Sequence, residues 1–431
     1  VGYGPPSQLL SLNAGFIFIF SDLLHAQVYI WKPGNNNTVE LVNAIAALAV
    51  VWVAAYLIHT VVRRKPAAGD EPSSSNEKLS VSLYPLLLII RSRRIARPLD
   101  IITEKSPRLW DAVSRAAVAT GFGLMAFAIY ILSTNLSTYL FRPEQVGGQN
   151  IVIPLIIGVT IRLENLPYLF MAFAIVLITH EGLHGIIARR EGLPVRSAGV
   201  FFIFVVPGGF VEPDEQAFKS SAPGVRIRVA AVGSFANLVV GLLAVLALFS
   251  FFVPQEAGLI AVQVEEGSRI GVNEVLVSID DVPVNSLTAR ASIITLQDVL
   301  RVRTLEREYM FETNPEVRGR ELPLGSVIRG LGVSQVDTYL QPRLQGIPPA
   351  SAYIFYRTLF WLQLVSIGVA VFNMLPIYML DGSIVLKAML EKYVKDPKRV
   401  FALANSAAVL CITLLISNIA MTYSFFGFFQ I

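Results

Sequence analysis

Six stretches of this chain reach the roughly 20 apolar residues that a helix needs to cross a bilayer. They are 41–62, about 116–140, 166–188, 229–253, 358–380 and 400–429. No other feature constrains the fold as much. In hydrocarbon a backbone must satisfy its own polar groups, which leaves helices or closed barrels. The charged fraction agrees, at 15% against roughly 25% in soluble domains. The chain reads as a polytopic α-helical membrane protein with about six transmembrane helices. The net charge of +4 is mild, and no basic cluster is interleaved with aromatics, so nucleic acid is not an expected partner. Cys411 is the single cysteine, which excludes an intrachain disulfide or a cysteine metal site. Val1 to Leu10 has no positive n-region, so no cleavable signal peptide is expected.

Basic residues orient the spans. Arg63, Arg64, Lys65, Arg91, Arg93 and Arg94 follow the first span. Arg189, Arg190, Arg226 and Arg228 lie between the third and fourth, and Lys387, Lys392, Lys395, Lys398 and Arg399 between the fifth and sixth. With alternating spans these loops share one face, expected to be the cytosolic one. Both termini, and the long segment 257–346, are then extracytoplasmic.

Four regions follow: an N-terminal membrane region, 1–150, with a linker at 63–80 that is rich in Pro, Gly and Ser over 66–78; a first core segment, 151–256; a soluble β-rich insert, 257–346; and a second core segment, 347–431. The apolar segment 9–20 is too short to assign. Residues 198–213 hold two apolar runs around Pro207-Gly208-Gly209, a pattern that fits a β-hairpin at membrane depth or a loop at the interface.

The chemistry begins at His180-Glu181-Gly182-Leu183-His184. Histidines at i and i+4 share one helix face and can reach one metal. A Glu beside the first can take a proton from metal-bound water. A polar patch there without a metal would be costly, since a charge at the bilayer centre costs roughly 2.5–3.5 kcal/mol. A catalytic zinc usually has three protein ligands and an open position. Asp381, in Asn373-Met374-Leu375-Pro376-Ile377-Tyr378-Met379-Leu380-Asp381-Gly382, is either the third ligand or a helix N-cap for 383–394. Depth favours the ligand. His184 lies about 8 Å before Arg189, Asp381 about 9 Å before Lys387 and Asn237 about 13 Å beyond Arg228, at 1.5 Å per helical residue.

These residues carry a resemblance. His-Glu-x-x-His in one span and Asn-x-x-Pro-x-x-x-Leu-Asp-Gly in a later one resemble the paired signature of the site-2 proteases, intramembrane zinc metalloproteases. Gly233-Ser234-Phe235-Ala236-Asn237 resembles that family's Gly-x-x-x-Asn element. Gly208-Gly209-Phe210-Val211 resembles its membrane-associated β-hairpin, and the insert its PDZ-like domain. The likeness covers about 165–395, and Pro85 to Arg94 looks more like archaeal members. It implies one Zn2+ per chain on His180, His184 and Asp381, with Glu181 as general base. Asn237 and Asn373 are expected to hold substrate backbone or the oxyanion. Phe202, Phe204, Gly208 and Gly209 are expected to contact substrate through the hairpin.

The expected function is hydrolysis of transmembrane segments of single-span membrane proteins, as in regulated intramembrane proteolysis. The zinc would lie near the cytosolic face of a cell membrane. The alternatives are an intramembrane metal transporter, which would not need Glu181, and a catalytically inactive membrane scaffold.

Overall fold

The computed structural model describes residues 79–427 except 85–86, 93–95, 157–159 and 204–205. The expected span at 41–62, segment 9–20 and residues 63–78 of the linker lie outside the described residues.

In chain order the structure has strands β1 (Leu79–Tyr84) and β2 (Leu87–Ser92), then helices α1 (Ala96–Lys105), α2 (Pro107–Phe141) and α3 (Leu166–Arg190). Strands β3 (Val195–Ile203) and β4 (Val206–Pro213) lead to α4 (Pro223–Phe251). The β-rich part holds β5 (Phe252–Val264), β6 (Val275–Ile279), β7 (Val282–Pro283), β8 (Ile293–Thr295), β9 (Val299–Thr304), β10 (Glu308–Glu312), β11 (Glu321–Pro323) and β12 (Val333–Pro342). Helices α5 (Pro349–Asn373), α6 (Asp381–Tyr393) and α7 (Pro397–Phe426) complete the chain.

Among the described residues five helices, α2, α3, α4, α5 and α7, are long and apolar enough to cross a membrane. Each has a proline at its first or second position. Proline suits that position because its φ is preset and its missing N–H would have been unsatisfied anyway. Four of the helices start earlier than their hydropathy suggests, because their first turns carry polar residues. The span expected at 358–380 is displaced most. It runs from Pro349 to Asn373 and stops three residues before Pro376, whose ring disfavours helical backbone in the residue before it.

The bundle is built around α4, which packs against α2, α3, α5 and α6. Its small residues allow close approach. A Cβ on Gly121 of α2 would meet Ala231 Cβ at 2.9 Å, and one on Gly241 would meet Ile367 Cγ1 at 2.5 Å. At one end of the bundle, ion pairs join the helix termini. Arg190 pairs with Asp111 at 2.8 Å, Arg228 with Glu191 at 2.6 Å and Arg226 with Glu391. The basic residues at the end of α3 and the start of α4 therefore gather at one face.

The expected hairpin is half of a larger sheet. Strands β1 to β4 form one antiparallel sheet in the order β1-β2-β3-β4. Ile203 pairs with Val206, so Pro207-Gly208-Gly209 lies within β4 and does not form the turn. Strand β1 begins at Leu79, inside the segment assigned to the linker.

At the opposite end of the bundle lies the β-rich part, whose main sheet runs β10-β9-β6-β5-β12, with β7 on β6 and a separate β8–β11 pair. It has its own apolar core, including Leu259, Ile279, Val302 and Leu324. It is also fused to the bundle: Phe252, Ile260, Tyr339 and Leu340 share a second core with Val176, Leu248, Tyr356 and Trp361. Strand β5 begins at Phe252, directly after α4.

Candidate metal centre

Two turns of α3 bring His180 and His184 onto one face, with their Nε2 atoms 3.1 Å apart. Asp381 is the first residue of α6, and Leu380 occupies the N-cap position. The Asp381 carboxylate therefore does not cap the helix. Its Oδ2 lies 3.2 Å from Nε2 of both histidines. The three donors lie within 4.8 Å of one another, the one such His, Cys, Asp or Glu group found among the described residues.

The donor set fits a cation. His184 Nδ1 lies 2.6 Å from the Val229 carbonyl oxygen. A carbonyl can only accept, so Nδ1 carries a proton, which leaves Nε2 as the ring nitrogen that can offer a lone pair to a metal. His180 Nδ1 lies 2.9 Å from the Asn237 side-chain amide, whose buried Oδ1 has no partner. With that amide turned over, Oδ1 accepts from Nδ1–H, and Nε2 of His180 is likewise the nitrogen left to face a metal. Two imidazole lone pairs and a carboxylate oxygen at 3.1–3.2 Å repel unless a proton or a cation lies between them. Two imidazoles and one carboxylate are a zinc donor set with a position left open.

Space for this convergence comes from a missing side chain. A Cβ on Gly233 would lie 2.4 Å from His184 Nε2 and 2.6 Å from His180 Nε2. Gly233 and Asn237 are one turn apart on α4 and so share a face. One leaves room for the rings while the other holds His180. Gly382 plays a similar part for Asp381. A Cβ there would lie 2.2 Å from the Met374 carbonyl oxygen, so only glycine lets α6 start tight against the end of α5.

Glu181 faces the sheet. Its Oε2 accepts from the Val211 backbone N–H at 3.0 Å, and Gly209 sits above its side chain. Strand β4 is the outer strand of its sheet, so its open edge faces α3. The residues expected to touch substrate separate here. Gly208 and Gly209 lie on this outer strand. Phe202 lies on β3, paired on one side with Leu88 and on the other with Pro207, so its backbone has no open edge. Phe204 lies outside the described residues.

Asn237 and Asn373, expected on substrate, are engaged with the donor set. Asn373 Nδ2 donates to Asp381 Oδ2 at 2.8 Å and lies 3.2 Å from His180 Nε2. Sequence reasoning missed Val229 and held Val211 only within the Gly-Gly-Phe-Val motif; both act through backbone atoms that carry no residue-type signal. It found Gly233 only as part of a motif, without its steric role.

Comparisons with known proteins place the chain in a family. The profile of Peptidase family M50 matches residues 168–417, which include all three donors and Glu181. An uncharacterized protein of Methanocaldococcus jannaschii is 27% identical over 226 residues, 51% of this chain and 56% of that protein. The chain thus spans little more than half the length of this relative. With the profile covering more than half of the chain, the chain belongs to Peptidase family M50, the site-2 protease family.

Proposed function

We propose that this chain is an intramembrane zinc metalloendopeptidase that hydrolyses peptide bonds within transmembrane segments of single-span membrane proteins. One observation carries the reading: His180, His184 and Asp381 converge beside Glu181, and Glu181 lies under the outer strand of a sheet.

Zinc, when bound by His180, His184 and Asp381, supplies a Lewis acid that acidifies water and polarises the scissile carbonyl. The rest falls to the chain's own groups. Glu181 takes a proton from the attacking water onto its carboxylate and delivers it to the leaving amine. Val211 N–H holds one oxygen of that carboxylate and so fixes its direction. Val229 and Asn237 fix the two imidazole rings. A substrate helix hides its peptide groups in its own hydrogen bonds, so it must unwind locally. The edge of β4 offers an unwound segment backbone partners where water is scarce.

The basic face that carries the metal-site end of α3 is the cytosolic one in this reading. The PDZ-like part, 257–346, then stands outside and screens substrates by the size of their outer portions. Its side chains are remote from the chemistry: His180 lies 14 residues along α3 from Leu166, about 21 Å at the helical rise.

The test uses the full chain with a panel of single-span membrane proteins. Cleavage should require zinc, stop with a chelator and return on adding the metal back. Zinc retention with no cleavage of any panel member, alongside metal uptake into vesicles that survives Glu181→Gln, would turn the reading to a transporter.

A further inference from the structure

Away from the metal centre, a cavity of about 270 Å³ opens where α4 ends, β12 ends and α5 begins. A single water needs only roughly 10–15 Å³. The lining is Phe251, Phe252, Pro342, Leu344, Ile347 and Phe355, with Ser351 and Ala352 at the start of α5. Several of these are strongly exposed for apolar residues, Leu344 at 58%, Phe355 at 42% and Phe251 at 41%. The flanking helices are both membrane-spanning candidates, so the cavity lies at the level where a span meets its loop. Apolar residues this exposed would be a liability in water and suit contact with acyl chains.

A cation stands at its rim. Arg343 lies between the lining residues Pro342 and Leu344. Its backbone N–H donates to the Phe251 carbonyl at 2.8 Å, and its Nε to those of Phe252 at 3.1 Å and Phe249 at 3.3 Å. The bonds to Phe249 and Phe251 satisfy carbonyls in the last turn of α4, and those made by Nε hold the guanidinium in place. Among the described residues Arg343 has no ion-pair partner, unlike the arginines at the other end of the bundle. A fixed guanidinium with its terminal nitrogens unpaired is suited to a phosphate.

We infer that this cavity binds a single phospholipid, with an acyl chain against Phe251, Leu344 and Phe355 and the phosphate at Arg343. Charge complementarity selects an anionic headgroup over a zwitterionic one, because among the described residues no carboxylate within ion-pair distance of Arg343 repels it or offers an ammonium a partner. Such a lipid would pin the junction between the bundle and the β-rich part to the bilayer surface. This inference does not rest on the protease reading.

The test is native mass spectrometry of the delipidated full chain with phosphatidylglycerol or phosphatidylcholine vesicles. One phosphatidylglycerol should be retained per chain, about fivefold more strongly than phosphatidylcholine. Ser351→Trp, placed on an exposed position at the rim, should fill the cavity and weaken both lipids about tenfold. Arg343→Gln should abolish the headgroup preference and Arg343→Lys should restore it. The lysine result separates phosphate binding from capping of α4, since a lysine keeps the charge but lacks Nε. Equal retention of both lipids by the parent chain overturns the site, as does undiminished retention by Ser351→Trp. Inorganic phosphate is the control ligand, and a site that holds it as tightly as the whole lipid is not a lipid site.

Discussion

At the residue scale, the metal centre depends on which atom each side chain leaves for the metal. Glu181 contributes no donor to the three-atom set, so Glu181→Gln should keep its zinc and lose cleavage. The expected loss is about 10²–10⁴-fold, the usual worth of general acid–base catalysis. Elemental analysis beside a cleavage assay reads both halves, and cleavage above about a hundredth of the parent rate removes Glu181 from that role. Asp381→Ala should lose zinc and activity together, because its Oδ2 lies 3.2 Å from both imidazoles and Leu380 holds the cap position. Gly233→Ala makes a sharper claim, since it removes no functional group. Its new methyl would lie 2.4 Å from His184 Nε2, so zinc content after gel filtration should fall while the fold, read by circular dichroism, persists. Normal zinc content in this variant would show that α3 and α4 can separate without loss.

At the element scale, the sheet decides where a substrate can pair. Strand β3 has neighbours on both sides, while β4 has one. Side chains and peptide groups alternate along a strand, so Gly209 presents its peptide groups on the same open edge as Val211, whose N–H is held by Glu181. Cross-linkers along 206–211 should capture substrate in the Glu181→Gln background, and those along 200–203 should not. Capture only from β3 positions would reject strand addition at β4. Proline at Phe202 should break the sheet itself, because it removes a ladder hydrogen bond from an inner strand. Another element is held by a polar clamp. Asn418 of α7, itself buried, donates to the carbonyls of Leu132 and Leu414 and accepts from Asn135. Asn418→Leu should loosen α7 by about 0.6–1.7 kcal/mol per interhelical bond lost, measurable as a lower midpoint in thermal unfolding.

At the scale of the whole molecule, the β-rich part is joined to the bundle by charge as well as by packing. Arg357 of α5 is only 3% exposed. It pairs with Asp337 of β12 at 3.2 Å and donates to Asn165, and Tyr353 donates to the same Asp337 carboxylate at 2.7 Å. Replacing 257–346 with a flexible linker would remove Asp337 and strand a buried guanidinium. The cost of breaking such a pair is about 3–5 kcal/mol. The deletion alone should therefore fold poorly. Combined with Arg357→Met, it should recover zinc binding and cleave both a substrate with a trimmed outer portion and a bulky one that the parent rejects. A folded, zinc-loaded double variant with no activity on either would show that the β-rich part does more than screen.

The apolar runs, the His-Glu-x-x-His spacing and the Asn-to-Asp-Gly motif were all legible in the sequence, because hydrocarbon and metal ions each admit few residue types. Hydropathy placed four of the five described span starts too late, and the prolines that mark those starts stand out only in the folded helices. The rest depended on the folded chain. Asp381 could serve as a ligand or a cap until the turn after Asn373 aimed its carboxylate at the imidazoles. The Pro-Gly-Gly run read as a turn until β1 and β2 completed a sheet in which it lies on the outer strand. The insert read as separate until Asp337 met Arg357. In each case the local sequence allows two conformations or partners of similar free energy. The choice between them is made by a group distant in the chain, because burial and charge pairing act between neighbours in space.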